Sequence, residues 1–336
     1  MKLLYLGNKL SKHGLNVTTI ETLTPVLENE GFEVITASDK KNVFWRFLDM
    51  MITIVKHRKV DYLLIDTYST SAFWFAVSAG FLAKFLKIPY IPILHGGNLP
   101  NRLRANRKIS AFFFSNAHTL VAPSKYLFSV FQSEGFKRLL LIPNGIEISN
   151  YPFCQRTHFQ PKLLWVRAFA SIYNPKMALE VLESIKEIYP MASLTMVGPD
   201  KDGSLTELKK FAKSKNLDVN FTGKLSKNEW IALAKSHDFF INTTHFDNTP
   251  VSVIEAMALG LLVVSTNVGG IPYLLTNNET GFLVQDNDSV AMATTIINAL
   301  EYPSKAIEIS KNSRSFAENL DIKKVANIWK MLLNKE

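Results

Sequence analysis

The chain has 336 residues, of which 47% are hydrophobic, and this is enough to build the cores of two domains of ordinary size. Its formal net charge is +9, and its single cysteine, Cys154, excludes an intramolecular disulfide framework and fits a reducing compartment. The most apolar run, residues 72–83, is shorter than the roughly 20 residues of a membrane-spanning helix, and no signal peptide is recognised. We therefore expect a cytoplasmic protein.

Apolar residues in the first half follow the spacing of buried strands and of amphipathic helices in turn. Strands are predicted over residues 2–7, 33–37, 62–66, 90–95, 119–122 and 139–142. Helices are predicted over residues 16–30, 43–56, 71–86, 105–116 and 125–134. Residues 151–161 have little periodicity and are predicted to form the linker.

The second half repeats this alternation. Strands are predicted over residues 162–169, 193–197, 219–222, 238–243, 261–266 and 281–284. Helices are predicted over residues 175–189, 204–215, 227–235 and 322–333, with a further helix that starts at Pro250 and a short one after Gly269-Gly270. Because strands and helices alternate throughout both halves, the pattern predicts an α/β protein with two doubly wound domains.

Residues 246–260, FDNTPVSVIEAMALG, predict an anion site. Thr249 is a suitable N-cap, and Pro250 suits the first helical position, where no N–H is needed. The N–H groups of Val251 and Ser252 then point out of the positive end of the helix, which commonly binds phosphate.

Two carboxylates flank this predicted anion site. Asp247 lies on the loop before the helix, and Glu255 lies inside the helix. A ligand with both phosphate and hydroxyl groups, such as a nucleotide-sugar, would suit this combination. The alternative is an ordinary capped helix with a solvent-facing Glu255. The next predicted strand ends at Gly269-Gly270, and ligands of open parallel sheets bind at such carboxyl ends.

The order of these motifs resembles the donor half of the retaining family 4 glycosyltransferases. Their signature is two glutamates, then Ala-Met-Ala-x-Gly, an apolar strand and Val-Gly-Gly-Ile-Pro. Here residues 255–260 read EAMALG and residues 268–272 read VGGIP, while Asp247 takes the place of the first glutamate. Residues 123–125 (PSK), 134–136 (EGF) and 142–146 (IPNGI) extend the resemblance over about residues 1–300.

The resemblance implies the GT-B fold, in which two doubly wound Rossmann-like domains face a central cleft. Residues 1–155 would form the acceptor-binding domain and residues 156–315 the nucleotide-sugar donor-binding domain. The helical segment 316–336 would cross back to the first domain. The implied activity is transfer of a sugar, with retention, from a UDP- or GDP-sugar to a lipid-linked or polysaccharide acceptor. In the family's front-face route the departing phosphate assists, and neither a cofactor nor a metal is expected.

Sugar transfer builds negative charge on the departing diphosphate, which cationic side chains and backbone N–H groups must stabilise. Arg167 ends the first strand of the second domain, and the resemblance implies that it binds the diphosphate. A surface ion pair is the alternative for Arg167. The family's usual lysine shortly after this arginine is absent here, and Lys176 is the nearest. Either Lys176 reaches the phosphate, or Arg167 and neutral donors hold it.

The resemblance also implies that Glu255 accepts hydrogen bonds from the ribose and that Asp247 faces the donor sugar. Aspartate is one methylene shorter than the family's glutamate, which leaves the sugar open. The predicted donor site comprises Arg167, Lys176, Asp247, Asn248, Thr249, Pro250, Val251, Ser252 and Glu255.

A histidine of the first domain faces the cleft in the resembling family, and His95 in the run LHGGN is its counterpart here. We expect His95 to orient the donor sugar or a neighbouring hydroxyl, although a structural role is the alternative. The predicted acceptor side comprises Gly7, Gly14, Gly96 and Asn98. The predicted catalytic residues are His95, Asp247 and Arg167.

The charge is uneven along the chain. Residues 1–150 carry 18 Lys and Arg against 10 Asp and Glu, whereas the remainder carries 20 against 19. Phenylalanines lie between these cations, so a basic, aromatic surface is predicted to contact anionic lipid headgroups at the inner membrane face. Nucleic acid is the weaker prediction because no recognition motif occurs. An ordinary solvated surface is the alternative.

Other enzyme classes lack their motifs in this sequence. There is no GxGxxG after the first strand of either domain, no Walker A motif, no HExxH, no paired CxxC and no GxSxG. Two alternatives to a glycosyltransferase stay open. One is a nucleotide-sugar epimerase or hydrolase on the same fold, and the other is a non-catalytic scaffold subunit.

Overall fold

The computed structural model describes residues 1–14 and 17–334 and contains two compact units. The first unit consists of Met1–Gly145 and Ile322–Glu336, and the second of Ile146–Asp321. The observed boundaries follow residues 145 and 321, whereas the predicted boundaries follow residues 155 and 315. Ile146 and Tyr151 pack in the hydrophobic core of the second unit, as does Ala317, so these residues belong to it.

The first unit is built on a six-stranded parallel sheet in the order β2-β1-β3-β4-β5-β6. Its strands are short runs rich in apolar residues, as a sheet covered on both faces requires. They are β1 (Lys2–Leu6), β2 (Glu33–Ala37), β3 (Tyr62–Thr67), β4 (Tyr90–Leu94), β5 (Leu120–Ala122) and β6 (Leu139–Leu141). The strand order reverses between β1 and β3, the switch point at which open α/β sheets bind ligands.

Six helices follow these strands in the first unit. They are α1 (Thr19–Asn29), α2 (Val43–Lys56), α3 (Ala72–Phe85), α4 (Leu99–Ala105), α5 (Arg107–Ser115) and α6 (Lys125–Ser133). The helix predicted over residues 105–116 corresponds to α5, which begins after Asn106 because Asn106 leaves the helical region (φ −127°, ψ 47°). The preceding helix α4 was not predicted. The predicted start of the first helix, Asn16, lies outside the described residues.

The second unit is built on another six-stranded parallel sheet, in the order β12-β11-β10-β7-β8-β9. Its strands are β7 (Lys162–Val166), β8 (Ser193–Val197), β9 (Val219–Gly223), β10 (Phe239–Asn242), β11 (Leu262–Thr266) and β12 (Phe282–Val284). The order reverses between β7 and β10. The prediction of two doubly wound α/β domains is confirmed.

Seven helices belong to the second unit. They are α7 (Pro175–Lys186), α8 (Ser204–Ser214), α9 (Lys227–Ala234), α10 (Val251–Ala258), α11 (Ile271–Leu274), α12 (Ser289–Glu301) and α13 (Pro303–Glu318). The sequence analysis did not predict α12 or α13, and both contribute to the core under the sheet.

The last helix, α14 (Ile322–Leu333), packs in the first unit although it ends the chain. Val325, Trp329 and Leu333 are buried beside apolar residues of β1 and α1. Lys330 Nζ lies 2.9 Å from Glu30 Oε2 at the end of α1. Within residues 1–14 and 17–334, no helix combines the length and apolar character needed to cross a bilayer.

Candidate functional site

Arg167 lies at the switch point of the second sheet, directly after β7. Its Nε donates to Asn242 Oδ1 at 3.3 Å at the end of β10, and its Nη2 lies 2.8 Å from Asp247 Oδ2. The Tyr173 ring lies under the guanidinium, 5.2 Å from centroid to Cζ. Because only 14% of the side chain is exposed, these contacts fix one cation at the edge where a ligand is expected. Arg167 is therefore not in an exposed surface ion pair.

The helix α10 begins one residue later than predicted. Pro250 has an extended backbone (φ −68°, ψ 112°) and takes the N-cap position itself, so Thr249 is not the N-cap. The first helical hydrogen bond runs from Val253 N to Pro250 O at 3.1 Å. The N–H groups of Val251 and Ser252 therefore precede the helical bonds, as an anion site at this end requires.

The hydroxyl of Ser252 adds a polar group to this helix start. Its Oγ is buried and has no hydrogen-bond partner within the part of the chain that the structure describes. An unsatisfied buried hydroxyl costs free energy unless a ligand supplies its partner. This observation favours a bound anion more strongly than the helix end alone does.

A glycine pair holds the loop that carries Asp247 and Asn248. Gly270 N donates to Asp247 O at 2.8 Å. A Cβ on Gly270 would lie 1.8 Å from Asn248 O, so a larger residue cannot occupy this position without moving the loop. The backbone of Gly269-Gly270 therefore approaches this loop closely. Asn248 is buried, and its N–H donates to Asp247 Oδ1 at 2.7 Å.

Glu255 is buried inside α10 with only 3% exposure, so the alternative of a solvent-facing carboxylate is wrong. Tyr151 OH donates to Glu255 Oε1 at 2.7 Å, and Lys227 Nζ pairs with the same oxygen. Burial, and then the charge of Glu255, raise the pKa of the Tyr151 phenol, which therefore stays protonated as the donor. Both contacts reach Oε1, which leaves Oε2 for a ligand.

Lys176 is not brought to the Arg167–Asp247 pair. Its Nζ lies 3.3 Å from Glu180 Oε1 one turn along α7, and 63% of the side chain is exposed. The same ammonium lies 5.7 Å from the Phe211 ring centroid. The lysine that does meet a predicted site carboxylate is Lys227, at the first position of α9. The sequence analysis missed it because nothing in the local pattern separates it from other surface lysines.

The first unit also carries polar groups at its switch point. Asp66, near the end of β3, has a fully buried side chain, and its Oδ1 lies 2.8 Å from His95 Nε2. Tyr5 OH donates to the same oxygen at 2.8 Å. Burial, followed by the charge of Asp66, raises the pKa of Tyr5, so the phenol remains a donor. The Tyr68 ring stacks on the His95 imidazole with centroids 5.3 Å apart.

Asp66 Oδ2 is buried and has no hydrogen-bond partner among residues 1–14 and 17–334. A Cβ on Gly7, which follows β1, would lie 2.4 Å from this oxygen, so a larger residue there would displace the Asp66 carboxylate. Because a carboxylate only accepts, Nε2 of His95 carries the proton in this pair. In the neutral imidazole, Nδ1 is then the acceptor that remains for a ligand. The sequence analysis missed Asp66, although a charged residue within the apolar run YLLID was a signal for it.

The other predicted acceptor-side residues lie in loops of the first unit. Gly96 is buried, and a Cβ there would lie 2.4 Å from Ser69 N. Asn98 is exposed at the start of α4, where its Oδ1 accepts from Asn101 Nδ2 at 2.6 Å. Gly14 is exposed at the end of a short 3-10 turn. Of this group, Gly7 lies beside Asp66 and Gly96 directly follows His95 in the chain.

No group of three or more His, Cys, Asp or Glu side chains within the described ranges is arranged to hold a metal ion. The polar groups at the two switch points are instead single cations, carboxylates, an imidazole and backbone N–H groups. Such a set can bind phosphate and sugar hydroxyls through hydrogen bonds and charge.

Two family profiles match consecutive parts of the chain. "Glycosyltransferase Family 4" matches residues 3–150, and "Glycosyl transferases group 1" matches residues 155–316. The chain belongs to the family 4 glycosyltransferases. The fold agrees with this family, because the architecture is the two-domain GT-B fold of known glycosyltransferase structures. In one comparison, the structure of Anabaena Alr3699/HepE in complex with UDP superposes with a TM-score of 0.78, with 99% of each chain covered and 17% identity.

The sequences of curated relatives match shorter parts of this family 4 chain. A glycogen synthase of Mycobacterium tuberculosis is 22% identical over 69% of the chain and 59% of the relative. An Escherichia coli enzyme, UDP-Gal:alpha-D-GlcNAc-diphosphoundecaprenol alpha-1,3-galactosyltransferase, is 24% identical over 53% of the chain and 49% of the relative. The chain thus spans about six tenths of the glycogen synthase and about half of the galactosyltransferase.

Proposed function

We propose that the protein transfers a sugar from a UDP- or GDP-sugar to a lipid-linked or polysaccharide acceptor, with retention of anomeric configuration. The observation that carries this proposal is the Arg167 guanidinium fixed at the second switch point beside Asp247. Family membership supports the activity. The UDP complex of HepE and the nucleotide-sugar named for the galactosyltransferase support the donor class.

The diphosphate would bind between Arg167 and the start of α10. Arg167 supplies a fixed positive charge, and Val251, Ser252 and the Ser252 hydroxyl supply hydrogen-bond donors. Because these groups are already oriented, they stabilise the negative charge of the leaving group without reorganising. In this proposal they supply the electrostatic stabilisation for which other transferases use a metal ion. Lys176 takes no part.

The ribose would bind at Oε2 of Glu255, while Tyr151 and Lys227 hold the other oxygen in place. A carboxylate suits a diol because each of its oxygens accepts hydrogen bonds. Asp247 would face the donor sugar, and Asn248 and Thr249 would add hydrogen bonds from the same loop. When the diphosphate binds Arg167, the Asp247 carboxylate exchanges part of its ion pair for sugar hydroxyls.

His95 would orient a sugar or acceptor hydroxyl through Nδ1, with Asp66 as the positioning residue behind it. In the proposed front-face route, the departing phosphate receives the proton of the attacking hydroxyl. The new glycosidic bond forms on the face that the diphosphate leaves, so the configuration is retained. His95 is then an orienting group and not a nucleophile.

Donor binding is tested by thermal unfolding of the full chain with UDP, GDP and ADP and with their common sugar conjugates. One nucleotide class should raise the unfolding temperature, because a ligand at about a hundredfold excess over its Kd adds about 2.7 kcal/mol to the stability. Glu255→Gln should weaken this shift. Lys210→Ala, on the exposed surface of α8, should leave it unchanged.

Transfer itself is tested by nuclear magnetic resonance of the product formed from the stabilising sugar donor and a lipid-linked glycan acceptor. The proposal expects release of the nucleotide and a product with the anomeric configuration of the donor. An inverted product would overturn the retaining mechanism. Donor conversion without an acceptor would favour the epimerase or hydrolase, and no shift with any nucleotide would favour the scaffold.

A further inference from the structure

The helix α2 exposes apolar side chains on the side that faces away from the core. Phe44 and Trp45 are 62% and 61% exposed, and Ile52 and Val55 follow on the same side of the helix. The opposite side contains Met50 and Ile54, which are buried against the sheet. Isolated exposed apolar residues are ordinary, but a continuous stripe along one helix indicates a contact surface.

The neighbouring helix α3 extends this apolar surface. Phe85 is 83% exposed, and Trp74 and Phe81 are also exposed. Phe81 stacks on Phe112 of α5 with ring centroids 4.5 Å apart. We call the exposed side chains of Phe44, Trp45, Ile52, Val55, Trp74, Phe81 and Phe85 the α2–α3 face.

Cations surround the α2–α3 face. Residues 40–116 contain twelve lysines and arginines and three acidic residues. Lys40 and Lys41 precede α2, and Lys56 ends it, while Lys84 and Lys87 lie at the end of α3. Of the three acidic residues, Asp66 is buried. Asp39, directly before this segment, pairs with Lys12 and Lys40, and the surface charge here remains positive.

We propose that the α2–α3 face docks on an anionic lipid bilayer. Aromatic and aliphatic side chains on one side of a helix, with lysines at its ends, suit the boundary between headgroups and acyl chains. Each lysine near an anionic surface adds further attraction. Self-association through this face would bring two strongly positive surfaces together, so charge complementarity favours lipid over a second copy of this chain. This inference depends on the proposed function in one respect, which is that the acceptor is lipid-linked.

An open cleft of about 640 Å³ lies within this face, and Val43, Phe44, Phe47 and Phe75 line it together with Lys41. Phe75 also lines the smaller cavity next to Gly7 and Asp66. The side chain of Phe75 therefore lies between the α2–α3 face and the cavity at the switch point of the first unit. A bilayer at the α2–α3 face would hold a lipid-linked acceptor beside the residues proposed to orient it.

Vesicle flotation of the full chain tests this inference. Binding to vesicles of phosphatidylglycerol and phosphatidylcholine should exceed binding to phosphatidylcholine alone, and it should weaken as the salt concentration rises. The double substitution Phe44→Ser with Trp45→Ser should lower the partition coefficient at least about tenfold. The matched control is Met191→Ser with Val290→Ser, which alters two exposed apolar residues of the second unit and should leave binding unchanged.

A charge test uses Lys40→Gln with Lys41→Gln against Lys209→Gln with Lys210→Gln in α8. Only Lys40→Gln with Lys41→Gln should weaken binding to the anionic vesicles. The inference is overturned if anionic vesicles do not bind the protein, if both pairs act alike, or if Phe44→Ser with Trp45→Ser instead dissociates a dimer in sedimentation. Without vesicles, nucleotides should raise the unfolding temperature of every variant, as they do for the unsubstituted protein. If nucleotides do not raise the unfolding temperature of the unsubstituted protein, that result counts against the donor proposal alone.

Discussion

The two units place different ionisable pairs at the switch points of their sheets. At the switch point of the first unit a buried carboxylate, Asp66, pairs with His95, whereas at that of the second unit a guanidinium, Arg167, pairs with Asp247. Their overall charges are reversed. The first unit carries 22 lysines and arginines against 10 acidic residues, and the second carries 16 against 19.

The two units use positive charge in different ways. In the second unit the cation lies at the sheet edge, where it can bind a phosphate, and the unit as a whole is slightly acidic. In the first unit most cations lie on the outside, where they can attract an extended anionic surface. We therefore expect the sheet to determine where ligands bind and a few residues at its edge to determine which ligand.

The largest expected effect comes from a substitution in α14, which should destabilise the first unit and leave the second unchanged. Trp329→Ala removes a buried indole from the core of the first unit and should cost about 3–5 kcal/mol. Calorimetry should show an earlier transition for the first unit alone. The exposed neighbour Met331→Ala should have little effect. Equal shifts of all transitions would show that the units do not unfold independently.

Arg167→Ala tests the cation of the second unit. Loss of a fixed group that stabilises the leaving diphosphate should lower the transfer rate about 10²–10³-fold. Lys176→Ala should leave the rate within about twofold, because Lys176 pairs with Glu180 on an exposed side of α7. Steady-state kinetics with a fixed acceptor measures both variants. A large loss in Lys176→Ala would show that this lysine reaches the phosphate after all.

Asp66→Asn tests the carboxylate of the first unit. If Asp66 positions His95, kcat should fall about tenfold or more while KM for the donor changes little, since the proposed donor site consists of residues of the second unit. The control is Asp61→Asn, at the exposed start of the same strand. His95→Ala combined with Asp66→Asn should cost no more than His95→Ala alone. Additive losses in this cycle would contradict a role through His95.

The smallest expected effect concerns Lys227, the partner of buried Glu255. Lys227→Ala should destabilise the second unit by about 1 kcal/mol, because the carboxylate loses a partner while the lysine itself is half exposed. Glu255→Gln should remove most of this cost in a double-mutant cycle measured by urea unfolding. The control Lys224→Ala changes an exposed lysine before the same helix. A zero coupling energy would show that the ion pair contributes nothing to stability.

The sequence predicted the parts of this fold that depend on local pattern. The bounds of α2 and α14 agree with the predicted helices at residues 43–56 and 322–333, and the strands differ from their predictions by a few residues at most. The start of α10 was misplaced because Pro250, a residue that favours the first helical position, instead has an extended backbone and takes the N-cap position. The helices α12 and α13 were not predicted.

The site was harder to predict from the sequence, because its contacts join residues that are far apart in the chain. Tyr5 and Asp66 are 61 positions apart, and Tyr151 and Glu255 are 104 apart. Local spacing predicts that Glu255 lies on a helix, but it does not show that a tyrosine and a lysine from other segments surround it. The assignments of Arg167, Asp247, Glu255 and His95 to donor and acceptor remain predictions that the experiments above test.

The position of α14 has a consequence for biosynthesis. Apolar residues of β1 and α1 are synthesised before the second unit, yet they pack against Val325, Trp329 and Leu333 of α14, which are synthesised after it. Domains generally fold in the order of their synthesis. Here the second unit can complete its core before the first unit, whose core lacks α14 until residues 322–333 have been synthesised. Until then a nascent chain exposes apolar surface on α1, and we expect this stage of synthesis to depend most on chaperones.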